Sequence, residues 1–399
     1  MSASVNASPT APMSKKPEWA PRLWQGCTSY AWMRLLFKNR FAVHWSRWYI
    51  AVVISFMSVS NTLLGFVQTL VFGRALRRTK LKAPPIFILG HWRTGTTHLH
   101  ELMIQDPRFG YPTTYQCVDP THFLLTEKLF SKILSPMMPK ERPMDRVKVG
   151  LDRPQEDEFA LCMMGQPSPY LTIAFPNHPP QDQEFYDLES VSPRALASWK
   201  KALTSFLISI TYKTGKRLVL KSPPHTARIK VLKEMFPGAL FLHIVRDPHV
   251  VYASTVNLWR TLYATQGLQS PRCEGLEEHV FSTFDRLYAK LEEGKRTLPP
   301  EQFFELRYED LVQDPAAAIR CVYDHFGLGG WNEMQPRLET YLATVRGYET
   351  NKYRLSPKEL AEIDRRWGEV IRRYGYETRD DVKADREIEE PVGAIRQGT

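Results

Sequence analysis

Short apolar runs, each cut off by glycine or by charge, recur along this chain. Ile86–Leu89 stops at Gly90, Leu218–Leu220 at Lys221, Leu240–Val245 at Arg246-Asp247, and Phe303–Leu306 at Arg307-Tyr308-Glu309-Asp310. Between the runs, apolar positions take helical spacing. Ile229, Leu232, Met235 and Phe236 mark one helix, ended by Pro237-Gly238, and Val250, Val251, Ser254 and Leu258 mark the next. Helices are also predicted over Thr121–Met138, Ser192–Lys213, Glu274–Arg296, Ala316–Phe326 and Pro357–Tyr374. The proline-rich, aromatic stretch Pro167–Pro180 reads as a lid or substrate-wall loop. Buried strands alternating with helices build an α/β fold, a parallel sheet flanked by helices. In such a sheet ligands bind at the C-terminal strand ends, where the charged residues fall here.

Ahead of the first strand lies a charge-free stretch, Trp48–Gly73. Tryptophans and cations precede it, and Arg74, Arg77, Arg78, Lys80 and Lys82 close it. Its length alone would permit a membrane span. Ser55, Ser58, Thr62, Gly65 and Thr69 recur at three- and four-residue intervals beside Asn61 and Gln68, so the helix carries one small polar stripe. Three placements follow: buried against the catalytic domain, lying in a membrane interface, or spanning a bilayer. The chain divides into a disordered tail (1–16), an N-terminal helical extension (17–82) for which membrane association is one of the open placements, the α/β domain (83–378) and a loose charged tail (379–399). The first residues lack the apolar centre of a secretory signal.

With 399 residues and 43% hydrophobic content the chain can bury a large core. A net charge of +10 favours anionic partners, either a nucleotide or an anionic membrane surface. The cations are spread out, with no basic-aromatic repeat or zinc-finger spacing, which disfavours nucleic acid. The five cysteines are far apart and form no C-x-x-C pair, so neither a zinc site nor a disulfide framework is expected. This points to a reducing, cytoplasmic setting; peripheral membrane contact through 48–73 is the expectation if that helix takes the interfacial placement.

The densest chemistry lies in PPIFILGHWRTGTTHLHELM, Pro84–Met103. A strand, a loop bounded by Gly90 and Gly95, and a helix opening at Thr96-Thr97 make a phosphate cradle, because loop amides and helix-start N–H groups converge on one anion. The spacing follows the nucleotide P-loop, with Thr97 at its Ser/Thr position. Position 96, however, is threonine in place of lysine, and the cation sits inside the loop at Arg93. This suits a phosphate-type anion other than a magnesium triphosphate.

These strand ends together resemble the sulfotransferase family, which moves a sulfuryl group from 3′-phosphoadenosine 5′-phosphosulfate (PAPS) to an acceptor and releases the bisphosphate PAP. The resemblance implies a P-loop-like fold. It assigns the 5′-phosphosulfate to the loop, with Gly90, Arg93, Thr94, Gly95, Thr96 and Thr97. It assigns the 3′-phosphate to Arg246 and Ser254, eight residues apart, and the adenine to Tyr308 of Tyr308-Glu309-Asp310. Within the family, the loop sequence, the Arg142-Pro143-Met144-Asp145 and Pro154–Glu158 segments and the N-terminal extension are similar to a bacterial branch that includes a lipid-quinone (ω-hydroxy-menaquinone) sulfotransferase. That implies a hydrophobic or lipid alcohol as acceptor.

On this reading the acceptor hydroxyl attacks sulfur in line with the departing phosphate, and catalysis is positioning plus positive charge. Arg93 and Lys221 are the expected cations, and no metal is required. For the general base, His225 is ranked first, with Glu156 and Glu158 next. Each has a plainer reading: His225 as a loop histidine, and the acids after Pro154 as an acidic first helical turn. Phe123, Leu124, Leu125, Met137, Met138, Met163, Met164, Tyr170 and Phe175 suggest an apolar acceptor wall, or core. Two other functions stay open: a degenerate P-loop kinase or NTPase with Asp247 as metal ligand, and a non-catalytic, membrane-attached nucleotide-binding protein. The oligomeric state is not legible.

Overall fold

The computed structural model of the protein describes residues 22–134, 150–345 and 353–378, with the backbone of Glu387 and Ile388. The remaining parts of the expected tails, together with Met137, Met138 and Arg142–Asp145, lie outside the described residues. In chain order the helices are α1 (Ser29–Lys38), α2 (Trp48–Arg78), α3 (Thr96–Met103), α4 (Thr114–Val118), α5 (Phe123–Leu134), α6 (Asp157–Met163) and α7 (Pro193–Thr214). They continue as α8 (Ile229–Met235), α9 (Pro248–Gln266), α10 (Leu276–Lys295), α11 (Tyr308–Gln313), α12 (Pro315–Phe326), α13 (Trp331–Thr344) and α14 (Pro357–Arg373). The strands are β1 (Ile86–Leu89), β2 (Phe109–Gly110), β3 (Arg217–Lys221), β4 (Leu240–Val245), β5 (Phe303–Arg307), β6 (Tyr353–Arg354) and β7 (Glu387–Ile388).

The strands β1 to β5 form one parallel sheet in the order β2-β3-β1-β4-β5. The registers Ile88↔Lys221 and Leu89↔His243 bring the ends of β3 and β1 nearly level, with β4 running two residues further. Every residue of β1 and β4 is buried, as a sheet covered on both faces requires. Alternation divides the core. Ile86, Ile88, Val219, Leu242 and Ile244 pack with α3, α12 and α13. Phe87, Leu89, Leu220 and Phe241 face the larger core with α7 and α10. After β1 the chain runs to β2 and β3 on one side, then crosses to β4 and β5 on the other. The crevice so created opens at the C-terminal end of β1.

The helix α2, 31 residues and roughly 46 Å long, is inverted relative to an ordinary surface helix. Its polar stripe faces the protein. Ser55 accepts the Trp32 indole N–H at 2.8 Å, and Thr62 accepts the backbone N–H of Ser29 at 2.9 Å. The Asn61 amide donates to the carbonyls of Gln25 and Cys27, and Gln68 accepts the backbone N–H of Leu124 at 2.8 Å. Its apolar side, including Val52, Phe56, Leu63, Phe66 and Leu70, is exposed. The helix thus packs on the domain, one of its three expected placements, but through its polar side. Hydrogen bonds hold α2 to the domain, and the hydrophobic face is left outside.

Candidate active site

The loop after β1 takes a shape that ordinary side chains resist. Gly90 has φ +150°, and a Cβ there would meet Thr94 Oγ1 at 2.6 Å and the Ile244 carbonyl at 2.8 Å. Gly95 has φ +96° and caps α3 with no side chain of its own. The N–H groups of Thr96 and Thr97 thus begin the helix without a side-chain acceptor from the cap, the arrangement that suits an anion. Thr94 closes the loop from within, its hydroxyl donating to the His91 carbonyl at 2.8 Å. The Tyr308 ring lies against Gly95, inside the space a Cβ would take, and the Arg246 guanidinium stands 4.0 Å from the centre of that ring. Gly95→Ala is expected to lower stability by about 1–3 kcal/mol, the scale of one strained backbone position, and to displace Tyr308. Urea denaturation and PAP titration of that variant measure the two effects.

Successive loop residues turn to opposite sides. Arg93, at φ +72°, donates from Nε to Ser254 Oγ at 2.8 Å, and Arg246 donates to the Arg93 carbonyl at 3.2 Å. Arg93, Arg246, Ser254 and Tyr308 therefore form one cluster, joined by the Tyr353 hydroxyl 3.2 Å from Ser254. Trp92 turns the other way, among Tyr170, Tyr186 and Trp259, and donates its indole N–H to the Tyr170 hydroxyl at 3.0 Å.

Beyond the tip of β3, three consecutive acids meet three bases in order. Lys221 Nζ lies 2.6 Å from Glu156 Oε1, His225 Nε2 lies 2.7 Å from Asp157 Oδ2, and the Arg228 guanidinium lies 2.5 Å from Glu158 Oε2. Ser222 donates to Asp157 and accepts the backbone N–H of Glu158, while Ser168 donates to Glu158. Burial would raise the Asp157 carboxyl, but the nearby His225 and hydrogen bonds from His225 and Ser222 hold it below the usual range. The Tyr170 hydroxyl donates to Glu156 Oε2 at 2.5 Å. Burial first, then the Glu156 charge, pushes that phenol well above its ordinary value, so it stays a donor. Glu156 is the member of the triplet that keeps access, with a side chain 14% exposed against none for Asp157 and Glu158.

Known proteins bear on this geometry directly. A family model described as "Sulfotransferase family" matches residues 84–333. The omega-hydroxy-beta-dihydromenaquinone-9 sulfotransferases Stf3 of Mycobacterium bovis and Mycobacterium tuberculosis are each 52% identical over 365 residues, covering 92% of this chain and 94% of theirs. The chain belongs to the sulfotransferase family. Two solved members share its fold at low identity. The STF9 sulfotransferase from Mycobacterium avium has a TM-score of 0.60 at 18% identity, covering 88% of this chain and 97% of that one. The STF1 sulfotransferase from Mycobacterium tuberculosis has a TM-score of 0.53 at 16% identity, covering 79% and 88%. The P-loop-like parallel sheet is thus that of a sulfotransferase, an enzyme whose family draws sulfate from PAPS.

Within this sulfotransferase the sequence-derived site residues fall into two groups. Gly90, Arg93, Thr94, Gly95, Thr96, Thr97, Arg246, Ser254 and Tyr308 surround the tips of β1, β4 and β5. Lys221 and Glu156 meet beside β3. Two placements differ from expectation. His225 is fully buried, with Nε2 on Asp157 and its ring edge-on to Phe87 and Trp199, so it stands inside the core and not on an open loop. Arg93 reaches the Ser254 side, away from the Lys221–Glu156 pair. The acids after Pro154 face inward on bases, and only incidentally toward a helix dipole. Of the proposed wall, Tyr170 touches the acid triplet; Phe159, which the sequence did not place there, lies tilted against it, 5.0 Å between ring centres. Phe123 packs on Phe206 in the core, and Met163 accepts from the Cys27 thiol near α1. Burial holds His91 and His98 near a pKa of about 4 and His100 at about 3, neutral at ordinary pH. Trp92, Trp259 and Tyr353 escaped sequence reasoning. A tryptophan inside a phosphate loop was the available signal for the first, and the other two carried none.

Proposed function

We propose that this sulfotransferase moves the sulfuryl group of PAPS to the hydroxyl of a hydrophobic, lipid-phase acceptor at the cytoplasmic face of a membrane. The mycobacterial relatives carry the name of one such acceptor, an ω-hydroxylated menaquinone. The observation that carries the proposal is Glu156, a partly exposed carboxylate held between Lys221 and the Tyr170 hydroxyl under an aromatic wall of Trp92, Phe159 and Tyr170. Both oxygens are oriented by a donor, yet each keeps a second lone pair for a substrate hydroxyl.

Glu156 takes the acceptor proton as the acceptor oxygen bonds to sulfur. The sulfur–oxygen bond to the donor phosphate breaks, and its electron pair stays on that phosphate. Lys221 and the N–H groups of Thr96 and Thr97 meet the charge that grows there, preorganised by strand tip and helix start. Arg246, Ser254 and Arg93 hold the 3′-phosphate, and Tyr308 flanks the adenine. These groups are read as sufficient without a metal, because Thr96 replaces the triphosphate-binding lysine and Asp247 caps α9 through His249.

Calorimetric titration with PAP in EDTA tests the nucleotide assignment. Binding is expected, and Arg246→Ala should weaken it about 10- to 100-fold, the worth of one or two charged hydrogen bonds. Magnesium-dependent ATP binding without PAP binding would overturn it. Mass-spectrometric detection of a sulfated product from hydroxylated quinones tests the acceptor class.

A further inference from the structure

We infer that α2, with α1 and α5 beside it, forms a plate that lies flat in one leaflet of an anionic bilayer, its long axis parallel to the membrane plane. The inference rests on the lipid-acceptor reading and gives that reading its geometry. The outward residues Val52, Phe56, Val59, Leu63, Phe66 and Leu70 follow intervals of four and three, which keeps them on one straight face. Each is at least half exposed: the lowest is 53% at Val59 and the highest 80% at Phe56. Exposure continues onto the neighbours, at Tyr30 and Phe37 of α1 and at Leu129 and Ile133 of α5. Soluble proteins rarely leave so large a continuous apolar patch without a partner. Trp45, Trp48 and Tyr49, all exposed at one end of the helix, are the side chains that settle at headgroup level.

Charge selects the occupant. Residues 22–82 hold ten lysines and arginines and not one aspartate or glutamate. Arg40 near one end, and Arg74, Arg77, Arg78, Lys80 and Lys82 at the other, are exposed, and Lys38 beside Arg40 is exposed but paired with Asp182 at 2.7 Å. On α5, Lys128 and Lys132 are also exposed. A second copy of the chain would bring cations against cations at both ends of the interface. Anionic headgroups meet the same cations with opposite charge while the acyl region takes the apolar face.

Attachment selects the orientation. The domain grips α2 along most of its length, from Ile50 and Ile54, through Asn61, to Gln68 and Gly73. A spanning α2 would drag the Gln25–Thr28 turn and α5 into hydrocarbon, where their polar groups have no water. A flat α2 wets none of its apolar face and dries none of its polar stripe.

The plate is also wired to the site. The helix α6 follows directly on Glu156 and ends at Met163, seven residues or roughly 10 Å away. There the Met163 carbonyl accepts the Thr28 N–H at 3.2 Å, and the Gly165 carbonyl accepts from Arg34 at 2.9 Å. An acceptor anchored in the leaflet thus has its hydroxyl presented to Glu156 across one short helix.

Flotation of the full-length protein with vesicles of mixed phosphatidylglycerol and phosphatidylcholine tests the plate. Binding is expected, falling with added salt, and the double variant Phe56→Glu/Leu63→Glu should lose at least tenfold in partition with PAP affinity unchanged. Nitroxide labels on Val52→Cys, Val59→Cys and Phe66→Cys should report one shared depth. A depth greatest at the middle label means a span and overturns the flat placement. Equal binding to phosphatidylcholine alone overturns the anionic assignment. Lack of vesicle binding, with a dimer by light scattering that the same double variant dissolves, assigns the face to a second copy and overturns the inference. These results are separable from a failed functional reading, in which PAP binding or sulfation of a detergent-solubilised hydroxylated quinone is missing.

Discussion

Glu156→Gln is expected to lower kcat about 10²- to 10⁴-fold, the usual contribution of a positioned general base, with PAP affinity nearly unchanged. The amide keeps the size of the side chain; its carbonyl can still accept from Lys221 and its NH2 can donate to the Tyr170 oxygen, but it cannot take a proton. His225→Gln supplies the contrast. That ring is enclosed, and its bond to Asp157 belongs to the core, so its loss should appear in stability and far less in kcat. Steady-state kinetics on both variants, with urea denaturation of each, separates the roles. Full activity in Glu156→Gln, with a folded but inactive His225→Gln, would reverse the assignment.

Arg228→Met is expected to destabilise the fold by about 3–5 kcal/mol, because it strands a buried Glu158 without its cation. Arg228 is wholly buried, donates to Glu158 and to the Phe185 carbonyl, and lies 4.9 Å from the centre of the Trp199 ring. Against a typical total of about 5–15 kcal/mol, that is a large fraction of the stability. The double variant Arg228→Met/Glu158→Met should recover much of the loss, since removing both charges leaves no uncompensated ion. Equilibrium urea unfolding of the two variants checks both statements. A single variant within about 1 kcal/mol of the parent would mean that water reaches Glu158.

Strands with continuous apolar runs were readable to within a residue or two: β4 is Leu240–Val245 as expected, and β3 extends the run by one residue at each end. The strand β2, two residues long, offers no pattern to read, and α13 hides behind an internal Pro336. The phosphate loop was legible because glycine spacing and a helix start are local properties. The acid triplet was not. Glu156, Asp157 and Glu158 follow a proline as helix-opening acids do, and the bases that claim them stand 65 to 70 positions away.

The same division runs through the whole molecule. Local order along the chain determined the alternation of strands and helices, the loop that cradles an anion and the small polar stripe on α2. Only tertiary structure decided that α2 turns its polar stripe inward, that His225 is enclosed while Glu156 keeps an opening, and that Arg93 turns to Ser254. Each of those outcomes depends on which groups from distant segments supply hydrogen bonds and charge, and a partner's position is a property of the packed fold that periodicity and spacing do not carry.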